Sequence, residues 1–225
     1  MTHYAVRDDL SFCRVGEQFV FLDINSDRYF RLPQLLERAL ASHLEGDGTS
    51  DMDISGLIER HILVDQPRST IAGRRGIKPA LRSAMEAPPA KQKIRAFELI
   101  EVLAIVLYTR LELKLFALKH VLHGLGADRH AQPAQATPPT ALLEHRLSDA
   151  AALYRRARLY VPVDMCCLLD SIAMAKFLRR RQLHVHVVFG VALDPFSAHC
   201  WVQADDLVLN DSVGNVHSHT PIRVV

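Results

Sequence analysis

Cysteine is scarce in this chain and is not arranged for bridging. Cys13, Cys166, Cys167 and Cys200 are the four cysteines in 225 residues. Two are adjacent, where neighbours rarely pair, so a disulfide framework of the secreted kind is excluded and each thiol reads as a buried structural group, a metal ligand or a nucleophile. Charge of one sign is equally lacking. Twenty-seven basic against 25 acidic side chains leave a net +2, which gives no electrostatic reason for a nucleic-acid or membrane surface. No long apolar run occurs either: the stretch from Phe97 to Gly126 is broken by Glu98, Glu101, Arg110, Glu112 and Lys114, whereas a membrane span needs roughly 20 mostly apolar residues. The opening "MTHYAVRDDLSF" has no apolar core behind a basic start, so no secretory signal is expected and the cytoplasm is the expected location. What is present is a 49% hydrophobic content, ample for a real core in one domain or two small ones.

The chain reads as two modules. In the first, "SFCRV", "QFVFLDIN" and "DRYFRLP" are short β-prone runs punctuated by Gly16-Glu17 and Asn25-Ser26-Asp27, which predicts three antiparallel strands joined by hairpins. Pro33 then opens a helix whose apolar residues Leu35, Leu36, Ala39, Leu40 and Leu44 keep a helical period. A second short helix is predicted over 53–60, capped by Asp53. From Pro67 to Lys93 the sequence turns basic and proline-containing, the composition of a linker. A long helix at 97–123 follows, then an Ala-, Pro- and Gln-rich loop from Ala127 to Thr140. Beyond it the spacing predicts a helix over 141–160, with Arg155, Arg156 and Arg158 on a solvated or partner-facing side. A second helix starts near Cys166-Cys167, and strands follow at "HVHVVFGVAL", "AHCWVQA" and "LVLND".

The chemistry concentrates in this last part. Successive strand side chains point to opposite faces, so His199 and Cys200 cannot form a pair. His199 shares a face with Trp201 and Gln203, and Cys200 goes to the core. Cysteines at a helix start are a common address for a reactive thiol, because unpaired N–H groups and the positive dipole end favour the thiolate. Cys166 and Cys167 lie about 100° apart around the helix, and periodicity does not choose between them. A Cys–His pair also needs a group that orients the imidazole. Asp211, in "VLNDS", is the natural candidate, with Asn210 as the fallback.

The segment "CLLDSIAMAKFLRRR…HVVFGVALDPFSAHCWVQADDLVLND" resembles the leader peptidase, or B protein, of lasso peptide biosynthesis, a transglutaminase-like cysteine protease. The matching features are a Cys-Leu followed by Ser and small apolar residues, a V-x-G-V strand, an Ala-His-x-Trp-Val strand, and an Asn-Asp pair about twelve residues after the histidine. The resemblance implies Cys167 as nucleophile, His199 as base and Asp211 as orienting acid, since Leu168, Ser171 and Ala173 then fall at the family spacing. Residues 1–82 resemble the winged-helix element that captures leader peptides of ribosomally made natural products (PqqD-like). The implied fold is α+β: a small winged-helix-like module of three strands plus helices over 1–82, then a transglutaminase- or papain-like cysteine protease domain over 83–225, helices packed on an antiparallel sheet. The implied partners are the leader segment of a precursor peptide and an ATP-dependent, asparagine-synthetase-like macrolactam synthetase, the lasso C protein. The helix at 97–123 or the arginines at 155–158 are the expected docking surface for the synthetase.

In the first module an extended peptide would add as a strand beside "DRYFRLP", with Tyr29, Phe30 and Leu32 as its surface. Trp201 is placed either on a wall of the substrate cleft or in the core. No cofactor and no metal are expected. Zinc held by Cys166, Cys167, His199 and Cys200 is the metal alternative, and neither Cys-Cys nor His-Cys has the spacing of a structural zinc site. The non-enzymatic alternative is a leader-binding scaffold.

Overall fold

The computed structural model describes residues 4–45, 51–65, 76–86, 93–126 and 140–225. The chain divides into two compact units, Met1–Gly76 and Ile77–Val225. This division lies ahead of the expected boundary at 82, for a physical reason: Ala80 is buried in the second unit's core with Trp201 and Val208, and the Leu81 and Arg82 amides donate to the Asp206 carbonyl. So polar and short a segment reads as linker in the sequence. Most of the remaining expected linker, and the loop expected at 127–140 apart from Thr140, lie outside the described residues.

In the first unit β1 (Tyr4–Val6), β2 (Leu10–Val15), β3 (Gln18–Asp23) and β4 (Arg28–Phe30) are followed by α1 (Gln34–Glu45), α2 (Asp51–Glu59) and β5 (Leu63–Asp65). Strands β2, β3 and β4 form the expected antiparallel sheet, in that order, and β1 pairs with β5 in a second, unforeseen one. The β2–β3 turn is carried by Gly16 at φ 59°, a left-handed conformation that costs glycine nothing. Alternation sends Phe12 and Phe21 inward, where Phe21 stacks on Phe30 at 5.2 Å between ring centres. Leu40 and Leu57 close the core from the helices. The helical stripe is narrower than its sequence pattern: Leu40 is buried, whereas Leu35 is 82% exposed.

The second unit contains β6 (Arg82–Ser83), α3 (Ala96–Leu115), α4 (Leu118–Gly126), α5 (Thr140–Arg158), α6 (Cys167–Arg179), β7 (His186–Ala192), β8 (Ser197–Ala204), β9 (Leu207–Val208), α7 (Val213–His217) and β10 (Thr220–Val224). The helix expected over 97–123 is two helices. Phe116 is extended, and the apolar pattern runs across that one residue without registering it. The sheet order is β10-β7-β8-β9-β6, antiparallel except for the parallel β6–β9 contact. Helix α6 is fastened to the middle of this sheet by polar bonds as well as packing. Ser171 Oγ donates to the Cys200 carbonyl at 2.9 Å and accepts from Asn210 Nδ2 at 2.9 Å, while Asn210 Oδ1 accepts from the Val202 amide at 2.7 Å. These groups satisfy one another, and they hold the N-terminal half of α6 against β8.

Arg155 and Arg158 of α5 are structural, which corrects for these two the expectation of a solvated or docking face. Arg158 is 3% exposed. Its Nε donates to Asp170 at 2.6 Å, and its other nitrogens donate to the Val161 and Asp164 carbonyls. Arg155 donates to the carbonyls of Leu209 and Ala84. The signal for a surface arginine, a charge on a helix, does not separate solvated guanidinium groups from those that bond backbone carbonyls inside the fold.

Candidate active site

Cys167 is the first residue of α6 and Cys166 its N-cap. The loop leading to them is fixed from below: Arg158 binds both the loop carbonyls and Asp170, and Asp170 Oδ2 accepts from the Cys166 amide at 3.2 Å. Both cysteines are exposed, but only Cys167 meets the histidine. A hydrogen bond with the His199 ring is the main influence lowering its thiol; partial burial opposes this, and the charge of His199 and the amides of Cys200 and Leu168 add to the lowering. The helix N-terminus acts in the same direction.

His199 projects from β8. Its Nε2 makes a short hydrogen bond to Asp211 Oδ2, which leaves Nδ1 as the ring nitrogen for the thiol. Asp211 raises the imidazole most, Cys167 adds to this, burial opposes it, and the ring is pushed up to about 9. For Asp211, burial raises the carboxyl, and the hydrogen bonds from His199, Asn215 and the Ser212 amide outweigh it, so the group is held below its usual range. These three shifts have one sense: a thiolate, an imidazolium and a carboxylate in a row.

The sequence reading placed Asp211 at the end of a strand; it lies in the turn between β9 and α7. That turn is pinned by two residues that sequence reasoning missed. Ser83, in the segment read as linker, donates from Oγ to the Asp211 carbonyl at 2.5 Å. Asn215 donates from Nδ2 to Asp211 Oδ2 at 2.8 Å, with the same nitrogen 3.3 Å from His199 Nε2. The position of Asn215, four residues after Asp211 and behind the helix cap Ser212, is the signal that could have found it. Asn210, the fallback orienter, is occupied with Ser171 and Val202.

Trp201 is 1% exposed, which removes it from the substrate surface. Its ring lies alongside His199, 6.1 Å between centres, and its Nε1 donates to Gln203 at 2.9 Å. The indole rests on Gly190, where a Cβ would come within 2.6 Å of the ring. His219 also lies close to His199, 5.2 Å between ring centres, and bonds Ser197. Cys200 is buried on the opposite face of the strand, and desolvation pushes its thiol up. Among the described residues no three His, Cys, Asp or Glu side chains converge to hold a metal ion, and no helix is long and apolar enough to cross a membrane. In the first unit Tyr29 and Phe30 on β4 are half-buried. Leu32 is core and so cannot offer the surface expected of it.

Residues 105–224 match the family model described as the transglutaminase-like superfamily. The chain belongs to that superfamily. The match spans α6, β8 and the Asp211 turn, so all three candidate residues lie within the transglutaminase-like part. The chain is also similar to the microcin J25-processing protein McjB of Escherichia coli, 39% identical over 46 residues. That stretch is 20% of this chain and 22% of the relative's length. No solved structure matches significantly.

Proposed function

We propose that the chain is a cysteine peptidase that removes the leader from the precursor of a lasso peptide in the cytoplasm. The observation that carries this reading is the single imidazole of His199, bonded to the Asp211 carboxylate and set beside a helix-start thiol that it holds below its usual range. The superfamily membership and the partial likeness to a microcin-processing protein support it. The Cys167 thiolate attacks the scissile carbonyl carbon, and the backbone N–H of Cys167 in the first turn of α6 stabilises the resulting oxyanion. The His199 imidazolium gives its proton to the leaving amine. Its neutral ring then takes a proton from water as that water attacks the thioester, releasing the leader's new carboxylate and the free thiol.

The first unit is proposed to be a winged-helix-like recognition element. Strand β4 is an edge of its sheet, so an extended leader can add there by main-chain hydrogen bonds. Tyr29, Phe30 and the exposed Leu35 of α1 supply apolar contact. Cleavage frees the amine of the core peptide for an ATP-dependent macrolactam synthetase, the second proposed partner. The test is incubation of the full chain with a lasso precursor peptide encoded beside it, followed by intact mass. Two fragments summing to the precursor plus one water are expected. A precursor that binds yet stays whole would leave a scaffold and overturn the peptidase.

A further inference from the structure

Helix α3 is apolar on more of its surface than its packing uses. Val102, Ile105, Val106 and Thr109 face inward and are buried. On the other side Phe97, Ile100, Leu107, Leu111 and Leu115 are each 45–65% exposed. With Ala104, the positions 97, 100, 104, 107 and 111 follow one another at alternating three- and four-residue steps. This is the seam that one helix presents to another, narrower than the stripe of a helix facing a globular core. Beside it an open groove of about 650 Å³ runs between α3, α4 and the end of α6, with Ala104 and Tyr108 among its walls.

The margins are basic. Arg110 and Lys114 lie along one side of the seam, and Arg179 and Arg180 of α6 and its cap overhang the groove on the other. The acids nearby are outnumbered and engaged, Glu101 by Arg181 at 2.7 Å and by Arg180 at 3.4 Å, and Glu112 by Lys176, which leaves Arg110 and Lys114 as the exposed charges along the seam. A second copy of the chain would bring two basic margins together, which opposes self-association. The groove gives a docked helix a second wall beside the seam, formed by His120, Val121 and Gly124 of α4 and the end of α6.

We propose that this seam docks an acidic amphipathic α-helix of a partner protein. Cys167 opens α6 and Arg179 ends it, about 18 Å apart along the axis at the helical rise, so the thiol and the groove lie towards opposite ends of α6. The inference stands without the peptidase reading.

The probes are two fluorescent peptides about three heptads long, with Leu at both seam positions and either Glu or Lys at the flanking ones. They are titrated onto the full chain by anisotropy. The Glu peptide is expected to bind in the micromolar range and at least about tenfold more tightly than the Lys peptide. Combined Leu107→Glu and Leu111→Glu should abolish its binding. Arg110→Glu with Lys114→Glu, both at exposed positions, should erase the preference while circular dichroism stays unchanged. Equal binding of the two peptides, or Glu-peptide binding indifferent to Leu107 and Leu111, would overturn the proposal. So would concentration-dependent dimerisation in sedimentation, or flotation with phosphatidylglycerol vesicles that those leucines control.

Discussion

Replacing Asp211 by Asn keeps the shape of the side chain and removes its charge. His199, with 19% side-chain exposure, titrates near 9 instead of 6.5, which corresponds to roughly 3 kcal/mol in favour of the imidazolium. Asp211 contributes the largest part, so Asp211→Asn should remove on the order of 2 kcal/mol, about 30-fold in the thiolate–imidazolium population at neutral pH. Alkylation by iodoacetamide reads that population without any substrate. In a Cys166→Ser chain, the rate at Cys167 should reach a plateau below the ordinary thiol range and change again as pH passes about 9. With Asp211→Asn the lower plateau should vanish and the rise move towards pH about 8.5. Peptide cleavage should follow the same window, limited on the acid side by the lowered thiol and on the alkaline side by the imidazolium. Because the folded ring titrates above the unfolded one, its contribution to stability is full below about 6.5 and is lost as pH rises through 9. Superimposable alkylation profiles with and without the Asp211 carboxylate would refute the reasoning.

Gly190→Ala should place a Cβ within 2.6 Å of the Trp201 ring and destabilise the fold by about 1–3 kcal/mol, visible as a lower Tm with weaker cleavage because Trp201 backs His199. Asn215→Ala should leave Tm nearly unchanged and lower kcat by about tenfold with little effect on KM, since the residue is exposed and touches only the His199–Asp211 contact and its own turn. Asp170→Ala leaves Arg158 charged and buried without its carboxylate; chemical denaturation should show a loss of about 3–5 kcal/mol.

Much of this fold was legible because its signals are local. The hairpin of β2 and β3 follows from Gly16 and the alternation of Phe12 and Phe19 to Phe21. The strand period assigned His199 and Cys200 to opposite faces before any contact was known. The choice of Cys167 over Cys166 came from a resemblance, since two neighbours at a helix start have the same propensities; the pairing with His199 is a tertiary fact. What stayed hidden was side-chain to backbone bonding across long separations. Ser83 reaches Asp211, and Arg155 and Arg158 bond carbonyls in the interior, and no period or composition marks such contacts. Leu32 was misplaced for the opposite reason, since an apolar residue beside a sheet edge looks like binding surface and burial puts it in the core; burial likewise decides for Trp201 between the two places the sequence left open.

In the proposed mechanism Cys167, and not its neighbour, attacks the peptide. The direct measurement is cleavage of a precursor by Cys167→Ala and Cys166→Ala chains, followed by mass spectrometry beside a binding titration with the uncleaved peptide. Cys167→Ala should bind the precursor as the parent does and leave it whole, while Cys166→Ala cleaves it. Cleavage that survives Cys167→Ala but is lost in Cys166→Ala would contradict the account.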